Sequence, residues 1–239
     1  MTIILLAVAA VGVLVLCHLA PFPFLLDAAS GGVAMWEGPR ERSGRKVVYL
    51  TFDDGPNPTA TPELLDALRE KGVAATFFVI PGYVHEGTAP ILRRTFEDGH
   101  AVALHSGDRW LNLKSPDDLA RAIEDAAARV ERFGGHRPSR LFRPHGGWRS
   151  LSMIRGLRRS GYRLVGWSWM MWDWNWGRQR TPASIASRVL AHASPGRIVV
   201  IHDGHHRNPA ADRHYAAPAV GLIVDGLRAR GYEIARLDA

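Results

Sequence analysis

Cysteine is all but absent. Cys17 is the one sulfhydryl in 239 residues, so no intrachain disulfide can form. Acidic residues are in deficit, 23 Asp and Glu against 30 Lys and Arg, for a formal charge of +7 and a pI of about 10.2. That balance suits contact with an anionic surface, a membrane or an acidic polymer. No segment concentrates its bases into a helical stripe, however, and the arginines are scattered, so no nucleic-acid partner is expected. Internal repeats and low-complexity tracts are also missing. With 46% hydrophobic and 22% charged residues the chain is a folding one, and its length suits one core of α/β-barrel size.

Polar residues are missing from the start of the chain. From Ile3 to Leu26 only His18 interrupts an apolar run, and Pro21 and Pro23 break its second half. Ile3 to Ala20 is barely long enough to cross a bilayer as a helix. Three readings fit: a signal-anchor helix, a cleaved signal peptide and a buried core helix. The lack of a polar face argues against the core helix. The lack of a basic n-region argues against the signal peptide, although Ala28-Ala29-Ser30 offers small residues for cleavage. Leu16, just before Cys17, is too bulky for a lipobox. Residues 1–30 are therefore read as a membrane anchor or signal segment, with a single N-terminal transmembrane helix favoured and the rest outside the membrane. The nearest bases, Arg40, Arg42, Arg45 and Lys46, lie C-terminal to it and argue for the cytoplasmic side. Residues 31–45, rich in Gly and charge, read as a linker, and 46–239 as the folded domain.

The rest of the chain is organised around Arg45 to Pro58. Val47 to Phe52 is β-branched and aromatic, a buried strand, and it ends on Asp53-Asp54 before Gly55-Pro56-Asn57-Pro58 forces a loop. Acids at a strand's C-terminal tip are how α/β enzymes present chemistry, although Asp-Asp-Gly-Pro also suits a plain acidic turn. Downstream, helices and strands alternate. Helices are expected over Thr61–Lys71, Ala89–Asp98, Pro116–Phe133 (with Ser115 as N-cap), Ser150–Ser160, Pro182–Ala193 and Pro218–Arg230. Strands are expected over Val73–Ile80, His100–Leu104, Leu141–Phe142, Arg163–Trp169, Arg197–Ile201 and Tyr232–Leu237. Such alternation predicts an α/β fold with a mainly parallel sheet that closes or nearly closes a barrel.

Later strands also end on polar groups: His105-Ser106-Gly107-Asp108-Arg109, Arg143-Pro144-His145-Gly146-Gly147-Trp148, Trp172-Asp173-Trp174 and His202-Asp203. One such histidine is ordinarily structural; five such ends on one barrel face make a site. With Thr51-Phe52-Asp53-Asp54-Gly55-Pro56 at its head, the chain from about Lys46 to Leu237 resembles the polysaccharide deacetylases with a NodB-homology domain, carbohydrate esterase family four. The resemblance implies a distorted (β/α) barrel, with 46–239 as its catalytic domain. It also implies a hydrolase of non-peptide carbon–nitrogen bonds, N-deacetylating an N-acetylated cell-envelope polysaccharide while membrane-anchored or secreted.

It further implies a divalent metal, usually zinc, with Asp54 and His105 as ligands. Asp53 becomes the general base, paired with Arg143, and His202 the general acid, oriented by Asp173. These roles suit amide hydrolysis, which needs a base for the water and an acid for the departing amine. Arg109, His145, Trp148 and Trp174 become substrate-binding residues. Trp172, Trp174 and Trp176 can stack on sugar rings, and equally can serve core or rim packing.

Two positions depart from the family pattern. The third metal ligand should stand at 109, and a guanidinium cannot ligate a cation. His145 stands where a second proline belongs. Asp108 can supply the missing ligand, or His145, His205 or His206 can, or the site holds no tight metal and Arg109 stabilises an oxyanion. Two other readings of the chain follow: a glycan-binding relative without turnover, and a metal-independent hydrolase of small amides.

Overall fold

The computed structural model describes residues 1–20, 22–168, 173 and 181–237. One sheet takes in β1 (Ala34–Met35), β2 (Glu41–Arg42), β3 (Arg45–Asp53), β4 (Thr76–Val79), β5 (Ala101–His105), β6 (Leu141–Arg143), β7 (Arg163–Val165), β8 (Ile198–His202) and β9 (Tyr232–Ala235). Its order runs β1-β7-β6-β5-β4-β3, and β3 also pairs with β2, β8 and β9. Among the described residues only the β2–β3 pairing is antiparallel. Past β7, Ser168 accepts from Ile198 N–H through Oγ (3.0 Å), which draws that edge towards β8. The sheet is thereby curled into an open, mainly parallel half-barrel.

The helices are α1 (Thr2–Leu19), α2 (Leu25–Ala28), α3 (Ala60–Glu70), α4 (Ala89–Glu97), α5 (Pro116–Gly134), α6 (Leu151–Ser160), α7 (Pro182–Ala191) and α8 (Ala216–Arg228). Their ends follow capping chemistry. Ser115 Oγ accepts from Asp118 N–H at the start of α5, and Gly135 closes that helix at φ 80°, a conformation that favours glycine. Ser150 caps α6 in the same way.

Side chains alternate across a strand, and here that parity decides the site. Val48, Leu50 and Phe52 of β3 join Val102, Leu104, Phe142, Val199 and Ile201 in the large core under the helices. Val47, Tyr49, Ala103, Leu141 and Ile198 face the other way, into the curl. Continuing that parity carries Asp53, His105, Arg143 and His202 onto the inner face at the C-terminal ends of their strands. Register aligns them: Asp53 pairs with His202, and His105 with Arg143.

The N-terminal segment requires a correction. Helix α1 has 18 residues, about 27 Å at 1.5 Å per residue, short of the ~20 residues that a bilayer crossing asks for. Among the described residues no helix is long and apolar enough to cross a membrane, so the expected transmembrane anchor, and with it the membrane as a partner, is not supported. Ile4, Leu5, Leu6, Val8 and Leu14 are exposed along α1. Its C-terminal end is tied to the domain. Arg149 N–H donates to His18 O (3.1 Å), and its guanidinium donates to Ala20 O, Phe22 O and Asp27 Oδ2 (2.7 Å from Nη2). Within the stretch read as a linker, β1 pairs with β7 and β2 with β3.

Arg149 and Asp27 are 0% and 4% exposed as side chains. Breaking a buried pair strands a charge, at a cost of about 3–5 kcal/mol. Asp27→Ala should therefore lower the unfolding free energy of the full chain by that amount, read as a lower urea midpoint at an unchanged slope. A loss below about 1 kcal/mol, the scale of an exposed pair, would show that the pair does not hold residues 18–30 to the domain.

Candidate active site

The loop after β3 is held in an unusual conformation. Asp54 sits at φ 72°, a region that non-glycine residues enter at a cost and mostly at functional sites. Gly204 lies so close that a Cβ there would stand 2.0 Å from Asp54 O, so only glycine lets the β8 loop pass. Asn57 Oδ1 accepts from Thr59 and Ala60 N–H, fixing the turn into α3. Beneath, Thr61 Oγ1 donates to Asp203 (2.5 Å). Burial, with the charges of Asp54 and Asp53, pushes the Asp203 carboxyl up to about 7.

Two ion pairs flank Asp54. Arg143, fully buried, donates from Nη1 to Asp53 Oδ1 (2.6 Å) and to Thr51 Oγ1 (2.8 Å), and its guanidinium lies 3.9 Å from the centre of the Phe78 ring. Asp173 takes His202 at two points, Oδ1 against ring Nδ1 (2.8 Å) and Oδ2 accepting the backbone N–H (2.6 Å). Burial alone would push the His202 imidazole down. The Asp173 charge and hydrogen bond, with Asp54 and Asp53 behind them, outweigh it and raise the pKa to about 9. Burial would likewise raise Asp173, and His202 holds it below the ordinary carboxylate value.

Asp54 and His105 meet beside these pairs. His105 Nδ1 lies 2.8 Å from Arg143 O, and a carbonyl only accepts, so Nδ1 carries the proton. Nε2 then faces Asp54 Oδ1 at 3.1 Å. Oδ1 is buried without a hydrogen-bond partner. Burial acts to raise the Asp54 carboxyl; when the His105 ring is protonated at both nitrogens, its hydrogen bond and charge override burial and bring the carboxyl well below its ordinary value. An orphaned buried carboxylate oxygen against an imidazole lone pair is a donor set that fits a divalent cation.

The remaining expected residues fall on both sides of this centre. His145 joins it: among the described residues Asp54, His105 and His145 form a group whose ligand atoms lie within 4.8 Å of one another. Asp108 is exposed, and its Oδ1 accepts from Trp110 N–H (2.8 Å). Arg109 is exposed too, its guanidinium 5.1 Å from the Trp148 ring, at the rim. His206 stacks on His145 at 4.3 Å and His205 on His206 at 4.5 Å between ring centroids. Trp172, Trp174 and Trp176 lie outside the described residues.

Sequence reasoning missed several supports. Ser106 Oγ accepts from His145 N–H (2.7 Å), and Tyr215 donates its hydroxyl to Asp173 Oδ2 (3.2 Å). Ser106 was legible as the neighbour of His105. Nothing in the spacing of Tyr215 points to Asp173, 42 residues away.

Residues 40–165 match the family described as polysaccharide deacetylase. The chain is 32% identical over 202 residues to the peptidoglycan-N-acetylglucosamine deacetylase of Bacillus cereus (84% of this chain, 89% of that one). To the chitooligosaccharide deacetylase of Bradyrhizobium it is 35% identical over 206 residues (80% and 89%). Among solved structures, a family 4 acetyl xylan esterase from Clostridium thermocellum in complex with a cobalt ion superposes with a TM-score of 0.69 at 30% identity, over 80% of this chain and 88% of that one.

Proposed function

The chain belongs to the polysaccharide deacetylase family, and from that premise we infer that it removes acetyl groups from the amide nitrogens of an N-acetylated cell-envelope polysaccharide. The observation that carries this reading is the placing of two prepaired groups, Asp53 with Arg143 and His202 with Asp173, on register-opposed strand ends beside Asp54 and His105. The half-barrel is read as the distorted (β/α) barrel of the family. Action at the cell envelope follows from the peptidoglycan named for the Bacillus relative.

Asp54 and His105 would hold a divalent metal, read as zinc, which when bound would supply Lewis acidity towards the acetamide carbonyl. Asp53 is the general base. Arg143 holds its carboxylate in place through the Nη1–Oδ1 hydrogen bond, and the carboxylate takes a proton from the attacking water as the new carbon–oxygen bond forms. His202 is the general acid. With its pKa held near 9 by Asp173 it is protonated at neutral pH, and it gives its proton to the nitrogen as the carbon–nitrogen bond breaks. Acetate and a free glycan amine leave, and proton exchange with solvent resets both groups. At the rim, Trp148 offers a stacking face for a pyranose ring, and Arg109 beside it offers a cation to the glycan.

Purified protein incubated with peptidoglycan and with chitooligosaccharides should release acetate, stop on addition of a chelator and recover with excess divalent metal. Absence of acetate from both substrates after metal loading would overturn the assignment. Release indifferent to a chelator would favour the metal-independent reading.

A further inference from the structure

Two departures from the family pattern, a lost ligand at 109 and a gained histidine at 145, fall in the loops after β5 and β6. Resting on the reading that this centre holds a divalent metal, we propose that they are one compensated change: His145, from the loop after β6, is the third metal ligand in place of a residue from the loop after β5. Asp54, His105 and His145 gather their ligand atoms within 4.8 Å of one another. A carboxylate and two imidazoles form a three-ligand set that leaves a coordination position open for substrate or water.

The two ligand loops are built as one unit. Ser106, next to His105, receives the His145 backbone N–H at 2.7 Å, and His105 Nδ1 is set by the carbonyl of Arg143, two residues before His145. Gly146 and Gly147 follow at φ 60° and 74°. A Cβ on Gly147 would meet the Trp167 ring at 2.7 Å, so the turn that carries His145 depends on a bare backbone there.

The alternatives turn away. Asp108 is committed to Trp110 N–H. Arg109 lies in solvent with its guanidinium 5.1 Å from the Trp148 ring. Relocating the ligand is what releases position 109 for a cation.

The test titrates the metal-free full chain with zinc against a chromophoric chelator, then repeats the titration on variants checked for fold by circular dichroism. The parent should bind one equivalent. Asp54→Asn and His145→Ala should each weaken binding at least ~100-fold, the upper range for loss of a mere supporting group. Arg109→His should stay within about threefold of the parent, because the third position is already filled. A second measurement needs no variant: X-ray absorption of the zinc-loaded parent should count two imidazoles.

Parental affinity in His145→Ala, or a single imidazole, would overturn the relocated ligand while leaving the metal reading intact. A gain of orders of magnitude in Arg109→His would overturn it as well, by showing the original position vacant. A parent that binds no zinc or cobalt would instead bring down the metal reading itself.

Discussion

Asp53→Asn should lose roughly 10²–10⁴ in turnover, the range for removal of a general base, and it should also lose stability. The second effect comes from Arg143. Its side chain is 0% exposed and its carboxylate partner is Asp53, at 2.6 Å. An asparagine keeps the shape and removes the charge, leaving a buried guanidinium on Thr51 Oγ1, the carbonyls of Val165 and Gly166, and the Phe78 face. Stranding one member of a buried pair costs about 3–5 kcal/mol. Rates must therefore be taken on protein shown to be folded.

A double variant separates the two effects. Asp53→Asn with Arg143→Met removes both charges and fills the space with an apolar chain, an exchange that is often near neutral for stability. It should recover most of the unfolding free energy of the parent and none of its acetate release. Activity of Asp53→Asn within a few-fold of the parent would end the assignment of Asp53 as base. Recovery of activity in the double variant would make the loss one of folding alone.

Much of this site was legible because strands are periodic. Once Val47 to Phe52 is read as a buried strand, alternation puts Asp53 on the face opposite Phe52. The same parity acts on His105 after Leu104, on Arg143 after Phe142 and on His202 after Ile201. Helix ends were legible for a similar reason, since Ser115 and Gly135 act within a few residues. Contacts between residues far apart were not. Asp27 and Arg149 are 122 residues apart, and each reads locally as an ordinary surface charge. Their pairing is a product of the fold, and it ties residues 18–30 to the loop that carries His145 and Trp148. The apolar run does form a helix, and among the described residues no helix is long and apolar enough to cross a membrane. The third ligand was ambiguous for a different reason. Asp108, His145, His205 and His206 all carry suitable atoms, and only the fold shows that, among the described residues, His145 is the one grouped with Asp54 and His105.

The other large effect concerns the acid. In Asp173→Asn the basic limb of kcat/KM should move from near pH 9 to about 6.5 or lower. His202 is subject to opposed influences: burial favours the neutral ring, while the Asp173 charge and hydrogen bond, helped by Asp54 and Asp53, favour the cation and prevail. Because the folded pKa is raised, the proton is in place below pH 9 and is lost as pH rises through that value. The stability contributed by this interaction has the same sign, full below the ordinary histidine value of about 6.5 and gone above about 9. Asparagine can still accept from the His202 backbone N–H, as Asp173 Oδ2 now does, so the loop should keep its shape while the charge disappears. Burial then acts unopposed by its main counterweight. At pH 8 a group of pKa near 9 is about 90% protonated and one near 6.5 about 3%, so the fall from protonation alone is roughly 30-fold. Below pH 6 the two enzymes should converge, which a purely structural defect would not produce. A basic limb unmoved in Asp173→Asn would take the proton-donating role from His202 and give it to another group at the site.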